Sequence, residues 1–110
     1  MNSIAQYKDG ILQLCEKNKV TRKLYFFGSV LTPRFNQLTS DIDVLVEIES
    51  SLPPEERGEQ LLNLWDGLET LFNRKVDLLT EHSLRNPYLR SEIEKNKKLI
   101  YDGQSKQVFI

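Results

Sequence analysis

Apolar residues recur at helical spacing near the start of the chain, at Ile4, Tyr7, Ile11, Leu14 and Cys15. Ser3-Ile4-Ala5-Gln6 has the form of a capping box, which predicts a helix beginning near residue 3. The pattern then changes. Lys23-Leu24-Tyr25-Phe26-Phe27 is a short aromatic-rich run ending at Gly28, the signature of a buried strand. A short helix or turn is expected after Ser29, limited by Pro33, and the polar stretch 34–40 reads as a loop. From residue 41 the chain alternates. Ile42, Val44, Val46 and Ile48 fall on one face of a strand, and Asp41 and Asp43 on the other.

Residues 51–54 form a break, and Pro54-Glu55-Glu56 opens a helix with proline early and acids in its first turn. Leu61, Leu64, Trp65, Leu68, Leu71 and Phe72 give that helix one apolar stripe, on which Trp65 is expected in the core. Gly58 and Gly67 weaken its propensity. Residues 74–80 read as another strand, with Asp77 interrupting its apolar run. Asn86-Pro87 is a second helix start, with Asn as cap and Pro in first position. This helix should turn Leu89 and Ile93 inward and fade near Asn96. Leu99-Ile100-Tyr101 suits a last short strand. Residues 1–103 are read as one domain and 104–110 as a tail, whose apolar ending Val108-Phe109-Ile110 suits either disorder or docking on a partner. Alternating strands and helices predict an α/β (α+β) fold: a mixed sheet with helices packed on it.

Composition narrows the functional classes. A chain of 110 residues builds one core and leaves little room for a separate substrate domain. Its formal net charge of −1 argues against unaided binding to nucleic acid, which rests on Lys and Arg neutralising phosphates. The single cysteine, Cys15, excludes an intramolecular disulfide and reads as a packed thiol. No apolar run approaches the ~20 residues of a membrane span, and the N-terminus lacks the pattern of a signal peptide, so a cytoplasmic location is expected.

The chemistry lies in one constellation. Gly28-Ser29 is followed after eleven residues by Asp41-Ile42-Asp43, and Asp77 sits on a later strand. Adjacent carboxylates repel and resist desolvation, and a hard divalent cation stabilises such a set. If the strand of Asp77 lies beside that of Asp41 and Asp43, three acids converge as in two-metal phosphoryl-type transfer. Glycine at position 28 allows close approach of backbone to phosphate. Taken singly, each feature has an ordinary reading. An Asp-x-Asp pair is commonly a strand-end carboxylate pair, and Gly-Ser a tight turn. Arg34 suits phosphate or plain solvent equally. Lys75 reads as a solvated charge on the face opposite Asp77. His82 reads as a surface residue, and the run 94–98 as a solvated face.

Gly-Ser, spacer, Asp-x-Asp and a lone later Asp together resemble the polymerase-β-like nucleotidyltransferase superfamily. The short chain and the phrase SDIDVLVE are most similar to its minimal MNT-type members, known as antitoxin partners of HEPN-domain ribonucleases. Many relatives carry a small residue and an Arg soon after Gly-Ser and then a further Gly; here the segment is Val30-Leu31-Thr32-Pro33-Arg34-Phe35. The resemblance implies transfer of a nucleoside monophosphate, AMP in first place, from an NTP to a hydroxyl. Asp41 and Asp43 would hold two Mg²⁺ ions, and Asp77 would bind the catalytic metal and orient or deprotonate the acceptor. Gly28, Ser29 and Arg34 would engage the triphosphate of ATP. The implied acceptor is a tyrosine of a HEPN-type toxin, met in a hetero-oligomer. Two other readings stay open: an antitoxin that acts by docking alone, and a small-molecule nucleotidyltransferase completed by a second subunit.

Overall fold

A computed structural model describes residues 2–33, 35 and 40–110, with the side chains of Asn2, Ser3 and Ile4 outside the description. The expected capping box and the place of Ile4 therefore lie outside the described residues. A 3-10 turn, Asn2–Tyr7, leads into helix α1, Lys8–Lys17. Strand β1, Thr21–Phe27, ends in a second 3-10 turn, Gly28–Leu31. Strand β2 is Ile42–Ile48, helix α2 Pro54–Phe72 and strand β3 Val76–Thr80. Helix α3, Pro87–Asn96, is followed by β4, Lys98–Asp102, and β5, Gln107–Val108.

The five strands form one mixed sheet in the order β3-β2-β1-β4-β5. β1 pairs antiparallel with β2 and β4, whereas β2 and β3 run parallel. Parallel neighbours need a long crossover, and α2 supplies it. Pro54 opens α2 and Asn73, in the left-handed conformation at φ 53°, ends it. Asn86 caps α3, its side-chain oxygen accepting the N–H of Tyr88 at 2.9 Å and of Leu89 at 3.3 Å.

Alternation along the strands divides the interior. Leu24, Phe26, Ile42, Val44, Val46 and Val76 turn to the face that α1 and α2 cover, where they meet Ile11, Cys15, Leu64, Leu68 and Phe72. Gly67 allows α1 and α2 to touch, since a Cβ there would stand 2.4 Å from Leu14 Cδ2. The opposite face carries Tyr25 and Leu45, on which α3 seats Ile93. Cys15 is buried, and burial pushes its thiol up to about 12, consistent with an inert packed side chain.

Three expectations need correction. Trp65 is 41% exposed. It lies at the edge of the stripe, where its indole N–H can donate to the Val76 carbonyl at 2.8 Å and pin α2 to edge strand β3. Leu89 is likewise half-exposed, while Ile93 one turn on is buried. Residues 104–110 are not a loose tail: Tyr101 and Asp102 pair with Val108 and Gln107, and Val108 is only 7% exposed. The apolar ending completes this chain's own sheet, with Ile110 packed against the core. Among the described residues, no helix is long and apolar enough to cross a membrane.

Candidate active site

Parallel pairing of β2 with β3 sets Asp43 directly opposite Asp77. Directly opposed residues share a face, so two carboxylates from distant parts of the chain meet. Asp41 stands one residue before β2 and two before Asp43. Two contacts fix this alignment from the segment ahead of β3. The Ile42 N–H donates to the Lys75 carbonyl at 3.1 Å, and Arg74 Nη1 donates to the Ser40 carbonyl at 3.4 Å. Arg74 also lies 5.0 Å over the Phe35 ring.

On the other side of Asp43, antiparallel pairing brings up Phe27, and the chain turns at Gly28. Gly28 has φ +73°, a conformation that disfavours other residues, and a Cβ there would lie 2.4 Å from Asp43 Oδ2. Glycine is therefore required twice, by the turn and by the carboxylate against it. The 3-10 turn is closed by Thr32, whose N–H and hydroxyl both donate to the Ser29 carbonyl, at 3.0 and 2.9 Å. Ser29 is the second residue of that turn, directly after the glycine that packs on Asp43. Arg34 lies outside the described residues.

Burial, then the charge of Asp77, a hydrogen bond with Asp77 and the charge of Asp41 raise the Asp43 carboxyl from 3.8 to about 6. Like charges are crowding one group, and a divalent cation would relieve that crowding. The oxygen-only donors of Asp41, Asp43 and Asp77 are the hard ligands Mg²⁺ favours, so these residues fit such an ion. Their convergence is partial: among the described residues no three acidic, histidine or cysteine side chains are gathered into a ready-made ligand set. Asp43 and Asp77 meet, while Asp41 and Asp77 each face the Lys75 ammonium, at 3.9 Å.

Lys75 corrects a further expectation. Residues 75 and 77 are two apart, so in extended backbone they share a face. The two-residue spacing was the signal, and it places Lys75 with the acids. Its side chain is 67% exposed, so it is solvated as expected, but not on the opposite face. His82 sits in a 3-10 turn, Glu81–Ser83, as a surface residue.

A cavity of about 620 Å³ opens beside the acids. Phe27, Gly28, Leu31 and Asp43 line one side, and Leu89 and Ile93 of α3 the other. Its size is that of a small-molecule site, with an apolar wall and an acid on each side, Asp43 and Glu92. The exposed Leu89 has its explanation here, since it walls the cavity rather than the core.

A family model described as a nucleotidyltransferase domain matches residues 9–100. The chain belongs to the nucleotidyltransferase family. It is 36% identical over 88 residues to a Methanocaldococcus jannaschii protein named "Putative protein adenylyltransferase MJ1379", covering 80% of this chain and 82% of that protein. "Putative protein adenylyltransferase MJ0128" of the same organism is also 36% identical, over 107 residues, covering 92% of this chain and 99% of the relative. Among solved structures, one described as a "putative minimal nucleotidyltransferase" superposes with a TM-score of 0.62 at 26% identity, covering 88% of this chain and 92% of that one. A toxin–antitoxin structure with AMP-PNP gives a TM-score of 0.61 at 24% identity, over 89% of this chain and 76% of that one. A tri-AMPylated HEPN toxin of Shewanella oneidensis in complex with an MNT antitoxin gives 0.56 at 23% identity, over 88% and 71%. These last two share the fold. Membership of the family and the minimal nucleotidyltransferase architecture agree with what the motif set implied.

Proposed function

We propose that this chain moves an adenylyl group from ATP to a tyrosine hydroxyl of a HEPN-type toxin, and so acts as that toxin's antitoxin. The observation that carries the reading is the parallel register that sets Asp43 against Asp77, with Gly28 closed over the Asp43 carboxylate. Asp41 and Asp43 would hold two Mg²⁺ ions, and Asp77 would share the one nearer the acceptor. Bound there, the ions would neutralise triphosphate charge and polarise the reacting phosphorus. Gly28 and Ser29 would take the β- and γ-phosphates, with Arg34 as a further phosphate contact. The cavity between the Gly28 turn and α3 has room for the nucleoside. The acceptor oxygen forms a bond to the α-phosphorus, the bond from that phosphorus to the bridging oxygen breaks, and pyrophosphate leaves. Asp77, on its own strand, orients the acceptor hydroxyl and takes its proton.

The names of the curated relatives support the adenylyl donor and protein acceptor. The MNT antitoxin held by a HEPN toxin supports the partner class and a hetero-oligomer. The experiment incubates the chain with its co-purifying partner, Mg²⁺ and α-labelled ATP, and locates the label by mass spectrometry. Label on a partner tyrosine is expected. Asp77→Asn should retain much of the Mg·ATP affinity while transfer falls by ~10²–10⁴. If no label moves and Asn variants at 41, 43 and 77 silence the partner as well as the native chain does, docking alone is the function.

A further inference from the structure

The Lys75 main chain is built into the site. Its carbonyl accepts the N–H of Ile42, the residue between Asp41 and Asp43, at 3.1 Å. Its side chain rises on the face of the acids and reaches two of them at once, 3.9 Å from Asp41 Oδ2 and 3.9 Å from Asp77 Oδ1. The two acids belong to different strands, so one ammonium bridges the mouth of the site. The root is fixed by the sheet while the side chain is 67% exposed. Ion pairs that long and that wet bind weakly. An ammonium is a compact point charge that neutralises carboxylates without demanding a set geometry. Mg²⁺ by contrast carries twice the charge and needs oxygens at about 2.0–2.1 Å. The same two carboxylates cannot serve both cations at full strength.

We propose that Lys75 is a tethered counter-cation of the acid cluster, which bridges Asp41 and Asp77 and must yield those oxygens when a divalent cation binds. The inference rests on the proposed metal site. It makes Lys75 a positioning residue that sets how readily the site loads: the ammonium keeps the acids together without metal, and competes with metal for them. Loading then becomes an exchange of cations rather than entry into a purely anionic cleft. The affinity for bare divalent ions is thereby held down.

The test measures Mn²⁺ binding to the full chain by electron paramagnetic resonance, without nucleotide and without any activity readout. Lys75→Met, which keeps the stem and removes the charge, should bind Mn²⁺ about three- to tenfold more tightly, the range for losing one or two exposed ion pairs. Its melting temperature in EDTA should fall. Lys75→Arg keeps the charge and should stay within about twofold of the native chain. Unchanged or weaker Mn²⁺ binding by Lys75→Met, with Asp43→Asn abolishing binding, would overturn the counter-cation and leave the metal site standing. If the native chain and Asp43→Asn bind Mn²⁺ alike, the metal site itself fails and the inference falls with it.

Discussion

Replacing Asp43 with Asn should make the metal-free protein more stable at neutral pH. Asp43 is held beside Asp77 and near Asp41, and its carboxyl is raised from 3.8 to about 6. Because the folded value lies above the ordinary one, the native state binds more protons than the unfolded chain between the two. Its stability therefore falls as pH rises through that window. The contribution is complete below about pH 4 and gone above about pH 7. A rise of about two units corresponds to ~3 kcal/mol if converted in full. Asp43 is too exposed for full conversion, and screening by solvent reduces the figure to ~1–1.5 kcal/mol. For a chain of this length that is a shift of about 3–6 °C.

Asparagine keeps the shape, cannot ionise, and can donate to Asp77, so it mimics the protonated acid at every pH. In EDTA at pH 7.5, Asp43→Asn should melt about 3–6 °C above the native chain. At pH 5 the gap should narrow, because the native carboxyl is then largely protonated. Saturating Mg²⁺ should raise the native melting point and leave the variant almost unmoved. The measurement is thermal unfolding by circular dichroism across pH 5–8, with and without Mg²⁺. If the variant melts at or below the native protein in EDTA at pH 7.5, or if the gap does not depend on pH, the crowding of acids at Asp43 is not what the geometry implies.

Gly28→Ala forces a left-handed side chain at a cost of ~1–2 kcal/mol and drives its Cβ into the Asp43 carboxylate. Urea unfolding should show that loss and calorimetry a larger loss of Mg·ATP affinity; equal affinities would separate Gly28 from the site. Trp65→Phe removes the indole bond to the Val76 carbonyl while keeping most of the ring's packing. It should cost ~1 kcal/mol in urea, with β3 amides exchanging faster, and an unchanged midpoint would show that the bond contributes nothing. Deleting residues 104–110 removes β5 and uncovers the strand beside it. The loss of buried Val108 alone is worth ~1.5–3 kcal/mol, so the midpoint should fall clearly, and an unchanged one would refute the packing of this segment.

The elements with strong periodicity were legible, and those set by pairing were not. Alternation placed Ile42, Val44 and Val46 on the buried face, and all three are fully buried. Pro54 and Asn86-Pro87 marked two helix starts because their backbone restrictions are local. β5 was missed since a two-residue strand has no period and gains its stability only from β4. Trp65 was misplaced because a helical stripe is wide, and its edge faces a strand end whose carbonyl can take the indole hydrogen. The acids of the candidate site were legible as types and spacings. Their partner Lys75 was not identified, although the two-residue spacing from Asp77 carried the information. Leu89 looked like core from spacing alone, and only the position of α3 over the Gly28 turn shows that it walls a cavity.

One alternation accounts for both the core and the chemistry. Even-numbered residues of β2 go to the face closed by α1 and α2, which leaves Asp43, Leu45 and Glu47 on the other. α3 covers that second face only in part, seating Ile93 on Tyr25 and Leu45. Farther along the same strand, Glu47 accepts a hydrogen bond from the Tyr25 hydroxyl, which gives one acid a fixed neutral partner. At the other end Asp43 faces another acid instead. Both carboxylates lie on one strand face four residues apart, yet among the described residues Glu47 meets a neutral hydroxyl and Asp43 meets another acid. The sheet therefore keeps its electrostatic stress where the cavity opens, at the Gly28 turn, and a shift of β3 by one residue would dissolve it by turning Asp77 to the buried face. The register of a single parallel strand pair thus decides whether Asp43 and Asp77 meet.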